Sequence, residues 1–169
     1  MAMNAAVAPA AILVLTCGNP SRGDDALGSA LYELLKDYQQ TTGKLADVEL
    51  LTDFQLQIEH ALDLENRHHV IFVDASVSCP APFEYRKLTA ERDESFTTHA
   101  MSPASVLAVY EQVNQREPPP AYLLTIRGYE FDLGLEISLK AQANLQLAYK
   151  FILVILAQAI VPREIFLKS

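Results

Sequence analysis

Residues 11–17 read AILVLTC, and residues 18–25 continue as GNPSRGDD. A short run that is apolar at almost every position is typical of a strand covered on both faces. The segment after it is rich in Gly, Asn, Pro and Ser, which favour turns. Residues 26–38 then carry a leucine stripe at helical spacing, so the stretch predicts a strand, a turn and a helix. Asp24 or Asp25 is expected to cap that helix.

The same alternation of apolar strands and helices continues along the chain. Further strands are predicted at 48–51, 69–73, 83–88 (an edge or antiparallel strand) and 121–126, and further helices at 56–64, 103–115 and 139–160. Ser102 and Ser138 are expected to cap the last two helices, with Pro103 in the first helical position. This order predicts an α/β three-layer sandwich, with a mainly parallel twisted sheet of about five strands flanked by helices. In such folds, ligand sites lie beyond the carboxyl ends of the strands.

Length and composition limit the classes of protein to consider. The 169 residues fit a single domain spanning 1–169, with 1–9 as a flexible tail, and half of them are hydrophobic. The net charge of −8 argues against a nucleic-acid partner, because phosphate binding needs clustered Lys and Arg. The two cysteines, Cys17 and Cys79, form no CxxC motif and favour a reducing compartment.

Two apolar segments bear on the location of the protein. The N-terminal one has no Lys or Arg before Arg22, so it lacks the basic region of a signal peptide. The other, residues 151–161, is shorter than the roughly 20 residues that a membrane span needs. We therefore expect it to form the buried face of the last helix. A cytoplasmic protein with no membrane partner is predicted.

Three polar groups follow predicted strands or precede a helix, and they contain the candidate site residues. These are Asp24 and Asp25 at the end of the glycine loop, Asp74 after the strand 69–73, and His99 before the helix that Ser102 opens. Taken singly, each has a simpler explanation as a cap or a solvated side chain. Together, two carboxylates and one imidazole make a plausible O,O,N metal site that leaves positions open for water or substrate.

The glycine loop does not match a nucleotide site. GNPSRGDD contains neither GxGxxG nor GxxxxGK[ST], and its two carboxylates would repel a pyrophosphate. No nucleotide cofactor is therefore expected. Gly18, Asn19, Gly23 and Asp24 are expected to shape the loop, since Gly permits close backbone approach and Asn hydrogen-bonds to neighbouring backbone.

Four blocks of the sequence resemble the hydrogenase maturation endopeptidases. Residues 14–28 are similar to that family's first signature: an apolar strand, Gly-Asn, a short loop, Asp-Asp or Asp-Glu, and a glycine three residues on. Residues 70–75 resemble its second acidic block, and Thr98-His99 before a Ser-Pro helix start resembles its histidine block. Residues 127–138 resemble the block that leads into its last helix.

The resemblance implies both an activity and a site. Asp25, Asp74 and His99 would approach the nickel in the precursor of a nickel-iron hydrogenase large subunit, after which a short C-terminal extension is cut off. The nickel would be supplied by the substrate. Glu130 corresponds to a common family residue to which the resemblance assigns no role. Two alternatives stay open: a non-catalytic chaperone or checkpoint that binds the large subunit, and a divalent-metal-dependent hydrolase of small molecules.

Overall fold

The computed structural model describes residues 8–92 and 101–166, so most of the predicted tail lies outside the described residues. Its centre is a five-stranded sheet in the order β2-β1-β3-β5-β4. The strands are β1 (Ile12–Cys17), β2 (Val48–Asp53), β3 (His69–Ser76), β4 (Phe83–Lys87) and β5 (Ala121–Arg127). All neighbours pair in parallel except β4, which runs antiparallel to β5 at one edge. The predicted α/β class and mainly parallel sheet are confirmed.

Helices cover both faces of this sheet. They are α1 (Leu27–Thr42), α2 (His60–Asp63), α3 (Pro103–Asn114) and α4 (Leu139–Phe166), and a 3₁₀ turn, Gly23–Ala26, precedes α1. One face of the sheet packs on α1 and α4, and the other packs on α2 and α3. Successive residues of β1 and β3 enter opposite cores, with Val14 and Ile71 on one side and Leu13 and Phe72 on the other. This explains why both strands are apolar at consecutive positions.

Several predicted boundaries were wrong. The helix expected at 56–64 shrinks to the single turn of α2, because backbone bonds from His60 to Gln57 and from Ala61 to Ile58 have 3₁₀ spacing. β3 runs three residues beyond its predicted end, because Asp74 to Ser76 still pair with β5. β2 likewise extends to Asp53, which lies opposite Cys17 of β1.

The predicted caps of the two later helices are confirmed. The Ser102 hydroxyl accepts a hydrogen bond from the N–H of Ser105 at 3.1 Å, and Pro103 opens α3. The Ser138 hydroxyl accepts from the N–H of Ala141 at 3.3 Å, at the start of α4. Both contacts satisfy a backbone donor that the first helical turn leaves without an intrahelical partner.

The C-terminal helix α4 is long and apolar. Its segment Leu139–Ile160 has 22 residues and a mean hydropathy of 1.5, which by length and composition alone would suffice to cross a membrane. The buried residues of α4 lie on one stripe facing the sheet: Ala141, Leu145, Ala148, Ile152 and Leu156. The expectation that residues 151–161 form the buried face holds only for Ile152 and Leu156 among residues 151–160, since Val154 is 54% exposed and the rest of the stripe lies earlier in the helix.

Candidate functional site

The carboxyl ends of β1 and β3 form the framework of the site. The residues 18–25 that follow β1, here called the site loop, carry Asp25 in the 3₁₀ turn. Asp74 is on β3, the strand beside β1. Since parallel neighbours end at the same edge of a sheet, this placement brings the two predicted carboxylates to one place.

Hydrogen bonds within the site loop orient Asp25. Its Oδ2 accepts from the N–H of Asn19 at 2.8 Å, and the side chain of Asn19 accepts from the N–H of Ser21 at 2.9 Å. Gly18 has a φ of +141°, and a Cβ there would lie 2.0 Å from the carbonyl oxygen of Asp25. The first residue of the loop must therefore be glycine for the chain to fold back against Asp25.

Asp74 lies within β3, opposite Thr125 of β5, and not just beyond the strand as the sequence indicated. Its Oδ1 accepts from the N–H of Ala75 at 2.8 Å. Burial raises the pKa of its carboxyl to about 6, against the lowering effect of that hydrogen bond and with a further increase from the charge of Asp25. A carboxyl with this pKa exchanges a proton readily near neutral pH, as a general base does.

Two residues at the strand ends, Cys17 beside Asp74 and Asp53 opposite Cys17, were not predicted as site residues. Cys17 ends β1, and its Sγ donates to the carbonyl of Val73 at 3.5 Å. Burial and then the charge of Asp74 raise the pKa of the Cys17 thiol, so it stays protonated. Asp53 ends β2 and contacts His60, with 3.3 Å between Oδ2 and Nε2. Its place at a strand end was the available signal, which the early predicted end of β2 concealed.

Asp24 plays a different part from the helix cap that the sequence suggested. The N-cap of α1 is Ala26, and neither Asp24 nor Asp25 makes a side-chain cap. Asp24 is instead fully buried, and its carboxylate accepts four hydrogen bonds from the loop before α4. The donors are the N–H of Tyr129 at 2.6 Å, the N–H of Glu130 at 2.9 Å, and the N–H and hydroxyl of Ser138 at 2.7 and 2.8 Å.

Further backbone contacts join the site loop to residues 128–138. The N–H of Asp24 donates to the carbonyl of Glu130 at 2.6 Å, and that of Gly23 donates to Leu135 at 3.0 Å. A Cβ on Gly23 would come within 2.4 Å of the Glu130 carbonyl oxygen. The backbone of Glu130 thus takes part in the contacts between the site loop and residues 128–138, while the residue as a whole is exposed.

His99, the third predicted site residue, lies outside the described residues. Among residues 8–92 and 101–166, no group of three His, Cys, Asp or Glu side chains is arranged to hold a metal ion. The described pair, Asp25 and Asp74, would contribute the two oxygen ligands of the predicted O,O,N set, which stays a prediction.

A cleft of about 520 Å³ lies beside the site loop, between α1 and the end of β2. Small residues, among them Gly18, Ala26 and Ala30, line one side of it. Glu33 and Asp53 are its charged side chains, and Phe54, which is 63% exposed, also lines it. The cleft therefore has two acidic side chains and an aromatic ring beside the site loop that carries Asp25. We call it the β2 cleft.

Comparison with known proteins adds structural relatives but no sequence family. No family model matches the sequence, and no curated protein matches it. The hydrogenase maturating endopeptidase HybD from E. coli superposes with a TM-score of 0.67 at 24% identity, covering 88% of this chain and 93% of that one. The [NiFe] hydrogenase maturation protease HycI from Thermococcus kodakarensis gives 0.65 at 21% identity, with coverage of 88% and 93%. A further endopeptidase from Escherichia coli gives 0.67 at 21% identity, with coverage of 89% and 94%. The chain therefore has the fold of the hydrogenase maturation endopeptidases, over nearly its whole length.

Proposed function

We propose that this protein is an endopeptidase that removes a short C-terminal extension from the nickel-loaded precursor of a nickel-iron hydrogenase large subunit. The observation that carries the proposal is the convergence of Asp25 and Asp74 at the carboxyl edge of the sheet, in a fold shared with proteins named as maturation endopeptidases. A cytoplasmic location accords with such a substrate.

The site residues have distinct tasks in this proposal. Asp25, Asp74 and His99 approach the nickel of the substrate, and the hydrogen bond from Asn19 keeps one oxygen of Asp25 fixed. A metal ion held beside a peptide bond polarises its carbonyl or lowers the pKa of an attacking water. One of the two carboxylates, Asp25 or Asp74, accepts the proton of that water as general base.

Mass spectrometry of a precursor incubated with the protein tests this function. The precursor is supplied once with nickel and once without, and the protein once as wild type and once as Asp25→Asn. We expect a C-terminal peptide to be released only from the nickel-loaded precursor by the wild type. The Asn variant keeps the size and one oxygen acceptor of Asp25, so it removes the charge while preserving the loop.

The same experiment separates the alternatives. Stable binding of the precursor without loss of mass would replace the endopeptidase by a checkpoint or chaperone. Neither binding nor cleavage of any precursor from the same organism, together with metal-dependent hydrolysis of small esters or amides, would point to a small-molecule hydrolase.

A further inference from the structure

At the β2 edge of the sheet, some backbone N–H and C=O groups point outward, away from the neighbouring strand. β2 is the terminal strand beside β1. At its two ends, Ile12 donates to the carbonyl of Asp47 and Gly18 donates to that of Asp53, both at 3.1 Å. Because backbone groups in a strand alternate in direction, the odd-numbered residues of β2 face β1, and the even-numbered residues face outward.

The outward groups belong to Val48, Leu50 and Thr52. Those of Val48 are already used, since its N–H donates to Leu45 at 3.1 Å and its carbonyl accepts from the side chain of Gln39 at 2.9 Å. Within the described part of the chain, no hydrogen bond reaches the outward backbone groups of Leu50 or Thr52. Two donors and two acceptors therefore stand at the spacing that an added strand requires.

This edge leads directly to the site. From Leu50, the strand covers about 10 Å to Asp53, at roughly 3.3 Å per residue. There Thr52, Asp53 and Phe54 line the β2 cleft, whose other side is formed in part by Gly18 of the site loop. A chain that lies along β2 and continues past its end enters the cleft beside Gly18 and Pro20 of the site loop, which also carries Asp25.

We propose that an extended segment of the substrate polypeptide adds to β2 as a sixth strand, pairing with Leu50 and Thr52, and places a basic side chain in the β2 cleft. The inference rests on the proposed function and names how that substrate is held. An endopeptidase must keep its peptide extended at the scissile bond, and main-chain pairing to a sheet edge does this for any sequence.

Charge selects a basic segment of substrate as the occupant over a second copy of the protein. The charged residues lining the cleft, Glu33 and Asp53, are both acidic. The whole chain carries a net charge of −8, so two copies repel each other. A Lys or Arg on the incoming segment gains attraction from both carboxylates.

A proline at position 52 tests the pairing. Thr52→Pro removes the outward N–H and leaves the bonds between β2 and β1 untouched, as proline does on edge strands. Thr52→Val is the matched control, because both variants lose the hydroxyl that bonds to Thr16 but only the proline loses the donor. We expect kcat/KM for precursor cleavage to fall about tenfold or more in Thr52→Pro relative to Thr52→Val. Equal rates in the two variants would overturn the pairing while leaving the endopeptidase function in place.

Amide hydrogen exchange read residue by residue gives a second test, which does not depend on turnover or on the proline variant folding. In Asp25→Asn, the amides of Leu50 and Thr52 should exchange freely while those of Glu49 and Leu51 are protected. Addition of the nickel-loaded precursor should then protect Leu50 and Thr52. A bound precursor that leaves both amides exchanging would refute the added strand, and so would protection that appears without precursor as the protein dimerises. Failure of the precursor to bind either Asp25→Asn or the wild-type protein, with no cleavage by the wild type, would refute the strand and the proposed function together.

Discussion

Asp24 and Asp25 are adjacent and chemically identical, yet the fold gives them opposite surroundings. Asp24 is fully buried among four donors, and Asp25 is partly exposed with one backbone donor from Asn19. Burial alone would raise the pKa of Asp24, but the N–H groups of Glu130, Ser138 and Tyr129 outweigh it and lower that pKa. The first carboxylate is a structural anion, and the second is available for chemistry.

We therefore predict that Asp24→Asn destabilises the protein much more than Asp25→Asn. An asparagine at 24 turns its NH₂ group toward donors that now need an acceptor, so the cost should be about 3 kcal/mol in the free energy of unfolding at pH 7. For Asp25→Asn, where one oxygen can still accept from Asn19, we expect a change within about 1 kcal/mol. Urea denaturation followed by circular dichroism measures both.

The pH dependence provides an independent check on Asp24. A carboxyl whose folded pKa lies below its unfolded value stabilises the protein at neutral pH and loses that contribution as the pH falls through the folded pKa. The difference in free energy of unfolding between wild type and Asp24→Asn should accordingly become smaller below pH 4. If this difference in free energy stayed constant from pH 7 to pH 3, the charge of Asp24 would contribute nothing to stability.

The pKa of Asp74 is raised where that of Asp24 is lowered, so stability should change with pH in the opposite direction. Its pKa of about 6 in the folded protein exceeds the ordinary 3.8, so the folded state binds the proton more tightly between those values. Stability present at acid pH is therefore lost as the pH rises through 6. In metal-free protein, Asp74→Asn should be more stable than wild type at pH 8, by roughly 1–3 kcal/mol, and equally stable at pH 4. Wild type that is the more stable of the two at pH 8 would disprove the desolvation of Asp74.

At the scale of elements, the approach of α1 to β1 depends on one position. Gly28 lies in the first turn of α1, and a Cβ there would be 2.3 Å from the carbonyl oxygen of Cys17. The backbone of the helix thus touches the end of the strand, which fixes the distance between the site loop and the sheet. No side chain fits between them.

Gly28→Ala tests this contact, because the substitution should destabilise the protein if the contact is present and stabilise it if the contact is absent. In an exposed helix, the change from Gly to Ala stabilises by about 1 kcal/mol, whereas here the methyl group must displace backbone and should cost about 2 kcal/mol or more. Ser29→Ala, one residue on in the same helix, is the matched control and should change stability little. Thermal unfolding measures both, and a Gly28→Ala variant more stable than wild type would rule out the close contact.

Periodicity and turn chemistry were sufficient to predict which elements exist, but not where they end. Local sequence patterns are enough to predict the apolar strands β1, β3 and β5 and the Ser-Pro start of α3. Burial and helix capping each favour particular residues at neighbouring positions. The extension of β3 through Asp74 depends on pairing with Thr125, a residue far away in the sequence. In the same way, nothing near Asp24 indicates that its partners lie beyond residue 128, so a local cap was the natural but incorrect interpretation.

For the molecule as a whole, we predict that catalysis and folding can be separated. Asp25→Asn, Asp74→Asn and His99→Ala should each abolish processing of the precursor, while their circular dichroism spectra remain those of the wild type. Glu130→Gln should be milder than any of these, because its backbone makes the contacts with Asp24. Global unfolding of all three site variants would contradict their placement in the site. If Glu130→Gln lost as much processing activity as Asp25→Asn, the Glu130 side chain would belong to the catalytic set.

The bonds of Asp24 also have a consequence for the order of events during protein synthesis. The carboxylate emerges from the ribosome more than a hundred residues before its donors, since Tyr129 and Ser138 follow it by 105 and 114 positions. A nascent chain can pair β1 with β3 while the site loop still lacks the groups that fix it. In the proposed endopeptidase, the site loop would therefore be fixed only when the C-terminal quarter has been made and docked. A product truncated before Tyr129 would lack the donors that hold Asp24.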